Sequence, residues 1–281
     1  MAASACGRAA HSFRWTADAM PRFAANLTML FTELPIEARF KAARDAGFGA
    51  VEILFPYDLP AKILSRAALA AGTEILLINC PPPNWAGGPR GFAAEPGMEE
   101  RFRRDFDRAL RVAQALRAKH IHVMAGKGDP DDPVARQTMI DNLDWACDRA
   151  PHASLLIEPI NRGDMPDYFL CDFDQAADII AAVGASNLGL QFDAYHAQII
   201  TGDAIGTLTR HRPLIRHVQI AGLPARNEPF SGGGLDMPAL FAALDDGGYA
   251  GWVSAEYRPA RLTESGLGWL PRDQDRATTG P

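Results

Sequence analysis

The sequence predicts a single α/β domain, a (β/α)8 TIM barrel, and three observations carry that prediction. Strand-like and helix-like signals alternate from about residue 21 to residue 260. The helix-to-strand connections are short, which suits a closed parallel barrel better than an open doubly wound sheet. The chain has 281 residues, of which 47% are hydrophobic, enough for the one large core of a barrel that takes about 250 residues. A doubly wound sheet would also want a glycine-rich phosphate turn after its first strand, and Asn26-Leu27-Thr28-Met29-Leu30 is not one.

Taken in order, the first strand is read over 23–27. A helix follows in which Ile36, Phe40, Ala43 and Gly47 share one face, and Gly47 stops it. Residues 50–54 make the second strand, broken by Pro56, and a helix over 60–71 ends at Gly72. Strand three spans 74–79. A long irregular stretch, 80–97, carries Pro81-Pro82-Pro83 and several glycines, and such loops inside compact domains are usually functional. Within it Trp85 and Arg90 are read either as a lid or as loop packing on itself. Met98, Phe102, Phe106, Ala109, Ala113 and Leu116 mark a helix with one buried stripe. Then come strand four (120–124), helix four (134–149), strand five (154–158) and helix five (173–183). Strand six (188–193), one helix over 197–210, strand seven (215–220), helix seven (237–246) and strand eight (251–256) complete the walk. The expected organisation is a flexible extension over 1–20, a barrel over 21–260, and a tail over 261–281 that covers the barrel's edge or frays.

Composition narrows the function. The formal net charge is −6 and no long basic run is present, which argues against phosphate-backbone binding and hence against nucleic acid as a partner. No apolar segment reaches the ~20 residues of a membrane span. Cys6, Cys80, Cys147 and Cys171 are scattered without a CxxC pair, so a reduced, cytoplasmic protein is expected. The first twenty residues lack the continuous apolar stretch of a secretory signal. Oligomeric state is left open, a homo-oligomer being compatible.

Four oxygen-bearing side chains then stand out. Glu158, Asp193, Gln219 and Glu256 each end or nearly end a strand-like run, 35, 26 and 37 residues apart, about one strand plus one returning helix. In a parallel barrel the strand C-terminal ends meet over one mouth, where active sites sit. Any one of these acids alone is as readily a solvated terminus or half of a salt bridge. Four at equivalent ends of consecutive strands point to a cation held between them. Oxygen-only surroundings favour Mg²⁺ or Mn²⁺ over zinc. Such an ion, chelated by an α-hydroxy carbonyl, acidifies the carbon-bound hydrogen and stabilises an enediolate. Glu158 and Glu256, on non-neighbouring strands, are the expected acid–base pair. Four further residues are substrate-binding candidates. His196 either holds a substrate oxygen or is structural. Arg226 and Lys127 suit an anionic substrate or are ordinary loop cations. Glu52 is either a pocket acid or a buried structural one.

Several motifs together resemble the hydroxypyruvate isomerase family. They are the start 23–31, Val51-Glu52 with Phe55-Pro56-Tyr57-Asp58, Asn79-Cys80-Pro81, Trp85-Ala86-Gly87-Gly88, Leu156-Ile157-Glu158-Pro159-Ile160-Asn161, and Gln191-Phe192-Asp193-Ala194-Tyr195-His196. Later in the chain they continue with His217-Val218-Gln219-Ile220-Ala221, Arg226-Asn227-Glu228-Pro229 and Gly251-Trp252-Val253-Ser254-Ala255-Glu256-Tyr257. The resemblance implies a xylose isomerase-like barrel and a divalent-metal-dependent aldose–ketose isomerase. Glu158, Asp193, Gln219 and Glu256 would be its metal ligands, Glu158 and Glu256 its acid–base pair, and His196 and Arg226 would face substrate. Ser231-Gly232-Gly233-Gly234 stands where the family commonly has Gly-Thr-Gly-Glu, and the stretch 125–133 is short; both departures lie near the mouth and bear on the substrate. Hydroxypyruvate ⇌ tartronate semialdehyde is the expected reaction, with 2-oxo-tetronate isomerisation as its near rival. A ketose 3-epimerase would usually have histidine at Gln219. A zinc abasic-site endonuclease would need a histidine-rich cluster, and a non-catalytic metabolite-binding barrel would not need all four ligands.

Overall fold

The computed structural model describes residues 21–81 and 90–271. The expectations for the extension over 1–20 and for Trp85 fall outside these residues. The strands are β1 (Arg22–Asn26), β2 (Ala50–Glu52), β3 (Glu74–Ile75), β4 (Leu77–Asn79), β5 (His120–His122), β6 (Ser154–Ile157), β7 (Leu188–Asp193), β8 (Ile215–Ile220) and β9 (Trp252–Ala255). All pair in parallel in the order β3-β2-β1-β9-β8-β7-β6-β5-β4. β3 and β4 are two halves of the single strand expected over 74–79, separated only at Leu76. One half pairs with β2 and the other with β5, so the sheet closes on itself as an eight-position barrel.

The helices outside it are α1 (Ile36–Asp45), α2 (Ala61–Ala71), α3 (Glu99–Leu116), α4 (Pro133–Arg149), α5 (Phe173–Val183), α6 (Ala194–Thr201), α7 (Ala204–His211) and α8 (Met237–Asp246). Their boundaries follow local chemistry. α2 and α5 stop at Gly72 and Gly184 in left-handed conformation. Asp132, Asp172 and Asp236 cap α4, α5 and α8 by accepting from the backbone N–H of Val134, Gln175 and Ala239. The expected single helix over 197–210 is instead two. Gly202, at φ +75°, ends α6, and the Asp203 carboxylate accepts from Gly206 N to start α7. α6 also begins earlier, at Ala194, because Asp193 is its N-cap and accepts from Tyr195 N.

Two apolar regions result. The large one lies between sheet and helices; the small one, Ala24, Ala50, Leu76, Leu77 and Leu156, fills part of the barrel interior. Above that floor the inward positions turn polar, because residues two apart on a strand share a face. The C-terminal segment covers the edge: Thr263 Oγ1 accepts from Phe31 N, and Trp269 packs edge-on against Phe23 and Tyr257.

Phe106 of α3 is fully buried, stacked with Phe102 and edge-on to Trp145 at 5.8 Å between ring centroids. Phe106→Ala should therefore cost about 3–5 kcal/mol in urea unfolding. A loss under about 1 kcal/mol would mean that α3 is not tightly seated on α4.

Candidate functional site

The four strand-end residues arrive at the mouth by different local routes. Asp193 is the last residue of β7, Gln219 the penultimate residue of β8, and Glu158 and Glu256 each follow their strand by one position. All four are buried. Amide side chains string them together. Gln191 Nε2 donates to Glu158 Oε2 at 2.9 Å and to Gln219 Oε1 at 2.8 Å. Gln219 Nε2 donates in turn to Glu52 Oε1 at 2.9 Å and to Glu256 Oε2. The last link is Arg226, whose Nη2 donates to Asp193 Oδ2 at 2.7 Å and Glu256 Oε1 at 3.0 Å. Its Nη1 lies 3.5 Å from Asp164 Oδ2, and its guanidinium sits over the Tyr195 ring. Arg226 is one of only three non-glycine residues with positive φ among those described, so its loop is bent to put the charge there.

Burying so many acids together shifts their titration. Burial first, then the neighbouring Glu256 and Asp193 charges, hold the Glu158 carboxyl well above the usual carboxylate range. Burial does the same for Glu256, with Glu52 and Asp193 adding to it and Arg226 opposing. Asp193 is raised by burial and drawn back by Arg226. Burial would lower Arg226, but Asp193, Glu256 and Glu158 hold its guanidinium charged. Glu52 behaves differently. Burial would raise its pKa, yet hydrogen bonds from His217 and Gln219 bring it below the ordinary value. His217 Nε2 lies 2.8 Å from Glu52 Oε2, and Asn26 Nδ2 donates to Oε1 at 2.9 Å.

His196 has a defined tautomer. Asn161 Oδ1 accepts from Asp164 N, which turns the Asn161 amide nitrogen onto His196 Nδ1 at 2.7 Å. Nδ1 is therefore an acceptor, and burial pushes the imidazole pKa well below its usual value. The neutral ring carries its hydrogen on Nε2, 3.6 Å from Asp193 Oδ2.

The donor set fits a hard divalent cation. Ligand atoms of Glu158, Asp193 and His196 lie within 4.8 Å of one another. Glu158 Oε1 is buried and finds no hydrogen-bond partner among the described residues, as a carboxylate oxygen reserved for a ligand does. Glu256 joins this group through Gln219 and Arg226. Gln219 presents its amide nitrogen to Glu52 and Glu256, so its oxygen enters a ligand set only after half a turn of the amide. With Nδ1 engaged and Nε2 protonated, His196 is a donor beside this group rather than a ligand in it.

Thus the structure brings together Glu158, Asp193, Gln219, Glu256, Arg226, His196 and Glu52. Lys127 is not brought in: it is exposed and paired with Asp167 at 3.1 Å. Glu52 is fully buried with both oxygens engaged by protein donors. Gln191, His217, His122, Asn26 and Asn161 were not anticipated from sequence. His122 Nδ1 is 3.6 Å from Glu158 Oε2, and burial drops its pKa to about 3. A signal for two of them was available: Gln191 and His217 stand two positions before Asp193 and Gln219, on the same inward face.

Glu52 supplies a test of this network. Glu52→Gln should cost about 1.5–3 kcal/mol at neutral pH, the worth of charge-assisted bonds. The native carboxyl titrates below the unfolded one, so its contribution is present above the unfolded value of about 4.3 and fades as pH falls through the folded value. In urea unfolding the gap between variant and parent should narrow from pH ~7 toward ~3; a constant gap would show that charge is not what Glu52 contributes.

Comparison with known proteins places this geometry. Residues 40–272 match the model of the family described as xylose isomerase-like TIM barrel. The chain is 47% identical over 255 residues to a 2-oxo-tetronate isomerase of Cupriavidus necator, covering 89% of this chain and 98% of that protein. It is 40% identical to the hydroxypyruvate isomerase of Escherichia coli, covering 89% of this chain and 98% of that one. A crystal structure from Brucella melitensis, described as AP endonuclease, family 2, superposes with a TM-score of 0.86 at 43% identity, covering 89% of this chain and 98% of that one. The chain belongs to the xylose isomerase-like TIM barrel family, and it is an isomerase.

Proposed function

We propose that this protein shifts the carbonyl of a small α-hydroxy-oxo acid to the neighbouring carbon, by moving a proton between the two. One observation carries the reading: two buried carboxyls, Glu158 and Glu256, stand at the two ends of the Gln191–Gln219 amide pair, each accepting from one of its amides. A carboxylate positioned beside the reacting carbon can accept a proton and return one. In this reading one of the two takes the hydrogen from the hydroxylated carbon and the other delivers one to its neighbour. His196 Nε2–H donates to a substrate oxygen, its direction fixed by Asn161. Arg226 offsets Asp193 and Glu256 and keeps them oriented. Glu158, Asp193, Glu256 and the oxygen of Gln219 would hold Mg²⁺ or Mn²⁺. When bound, the ion would supply polarisation of the substrate's adjacent oxygens and stabilise enediolate charge.

The four-carbon 2-oxo-tetronate is the first acid to test, given the name of the Cupriavidus necator relative, with hydroxypyruvate ⇌ tartronate semialdehyde the second. The name of the Brucella melitensis structure raises the endonuclease reading again. A mouth dominated by carboxyls and a chain of net charge −6 oppose a polyphosphate ligand.

In deuterated water with added Mn²⁺, the parent should incorporate deuterium at the carbon beside the substrate carbonyl. Glu158→Gln and Glu256→Gln should each lower kcat/KM by about 10²–10⁴; a variant exchanging as fast as the parent removes that residue from the mechanism. Mn²⁺ binding should also release protons, because raised carboxyls must ionise to ligate. Affinity should then fall as pH falls. Calorimetry in two buffers of different ionisation enthalpy measures this, and equal apparent enthalpies would contradict the shifted carboxyls.

A further inference from the structure

The two cations nominated from sequence for an anionic substrate are both engaged by protein acids. Arg226 is taken up by Asp193, Glu256 and Asp164, and Lys127 by Asp167. A substrate carboxylate has to be matched elsewhere.

Beside the site lies a cavity of about 540 Å³, bounded by Thr28, Met29, Thr32, Leu54, Phe55, Arg90, Arg258 and Pro259. Apart from Arg90, which lies between β4 and α3, these residues sit past the C-terminal ends of β1, β2 and β9, three neighbours in the barrel. The cavity therefore opens at the same mouth. Arg258 follows Glu256 by two positions, and its backbone N–H donates to the Arg226 carbonyl at 2.8 Å. Thr28 is tied to Glu52 through Asn26, whose Oδ1 accepts from Thr28 N while its Nδ2 holds Glu52.

Charge is lopsided here. Two guanidiniums line the cavity and no carboxylate does among the described residues. Neither Arg90 nor Arg258 is in an ion pair among those residues, Arg90 resting over the Phe55 ring at 5.1 Å. Arg90 is also held in place. Gly91, at φ +89°, bridges Ala125, and any Cβ there would meet Met124 O at 2.1 Å. Only glycine lets this loop lie against the segment just after β5, which seats the backbone next to Arg90.

We infer that Arg90 and Arg258 are the specificity-determining residues that bind the substrate's carboxylate, leaving its hydroxy-carbonyl carbons over Glu256 and Glu158. The inference rests on the function proposed above. A planar guanidinium matches a carboxylate with paired hydrogen bonds, and Met29, Leu54, Phe55 and Pro259 line the cavity around the two arginines.

The test compares hydroxypyruvate with dihydroxyacetone, which replaces the carboxylate by a neutral hydroxymethyl group, in the Mn²⁺-loaded enzyme. In Arg258→Gln and Arg90→Gln the ratio of kcat/KM for the acid to that for the neutral ketose should fall about 10- to 100-fold, as expected for losing a charge-assisted contact, chiefly through KM. Arg258→Lys should recover part of it. A ratio within about twofold of the parent in both variants would overturn the assignment. D-glycerate binding, measured by calorimetry, needs no turnover. If the parent isomerises neither acid yet glycerate affinity depends on the two arginines, the proposed function fails and the anion site stands. If the acids turn over and neither ratio nor glycerate affinity moves, the site fails and the isomerase stands.

Discussion

Everything at the mouth of this barrel answers one electrostatic constraint: several carboxyls are buried within contact of a few shared partners. Two like charges ~4 Å apart repel by about 4 kcal/mol even at an effective dielectric of 20, so they coexist only if protonated, paired or bridged by a cation. All three remedies are visible or provided for. Glu158 and Glu256 are pushed toward the protonated form, Arg226 lies between Asp193 and Glu256, and Glu158 keeps one buried oxygen without a partner among the described residues.

The same constraint explains the division of labour among the acids. Glu52, surrounded by Asn26, His217 and Gln219, is stabilised as a carboxylate and anchors the network from below. The acids nearer the opening, Glu158, Asp193 and Glu256, are instead raised by burial. Gln191 and Gln219 connect these two populations, each amide donating to both partners it spans. The result is a site whose guanidinium, that of Arg226, is taken up internally by Asp193 and Glu256; the proposed anionic substrate would draw instead on the arginines beside it.

The barrel makes this arrangement possible by period and register. Strand residues two apart face the same side, so each strand contributes an inward column whose upper member is polar and whose lower member in several strands is small or apolar. Ala24, Ala50, Leu77 and Leu156 close the floor, while Asn26, Glu52, Asn79 and Glu158 stand two positions above them. Helices α3 and α4, locked by Phe102, Phe106 and Trp145, hold the shell rigid from outside.

Local sequence determined the fold and half of the site. Strand and helix periodicity, glycine stops and aspartate caps are written in neighbouring residues, so the alternation of elements and the placing of Glu158, Asp193, Gln219 and Glu256 at strand ends were legible without coordinates. The apolar pattern runs through Gly202 and so reads as continuous helix, whereas Asp203 starts a new helix by capping Gly206. Partnership was not legible, because it depends on side chains far apart in the chain meeting around a closed ring. That Glu52 meets His217 across 165 residues, that Arg226 is claimed by Asp193 and Glu256, and that Asn161 fixes the His196 tautomer were decided only when the barrel closed. Lys127 and Arg226 both read as anion-binding candidates from sequence; tertiary structure gave one to an exposed aspartate and the other to the buried acids, because a charge's role is set by what lies within a few ångströms of it.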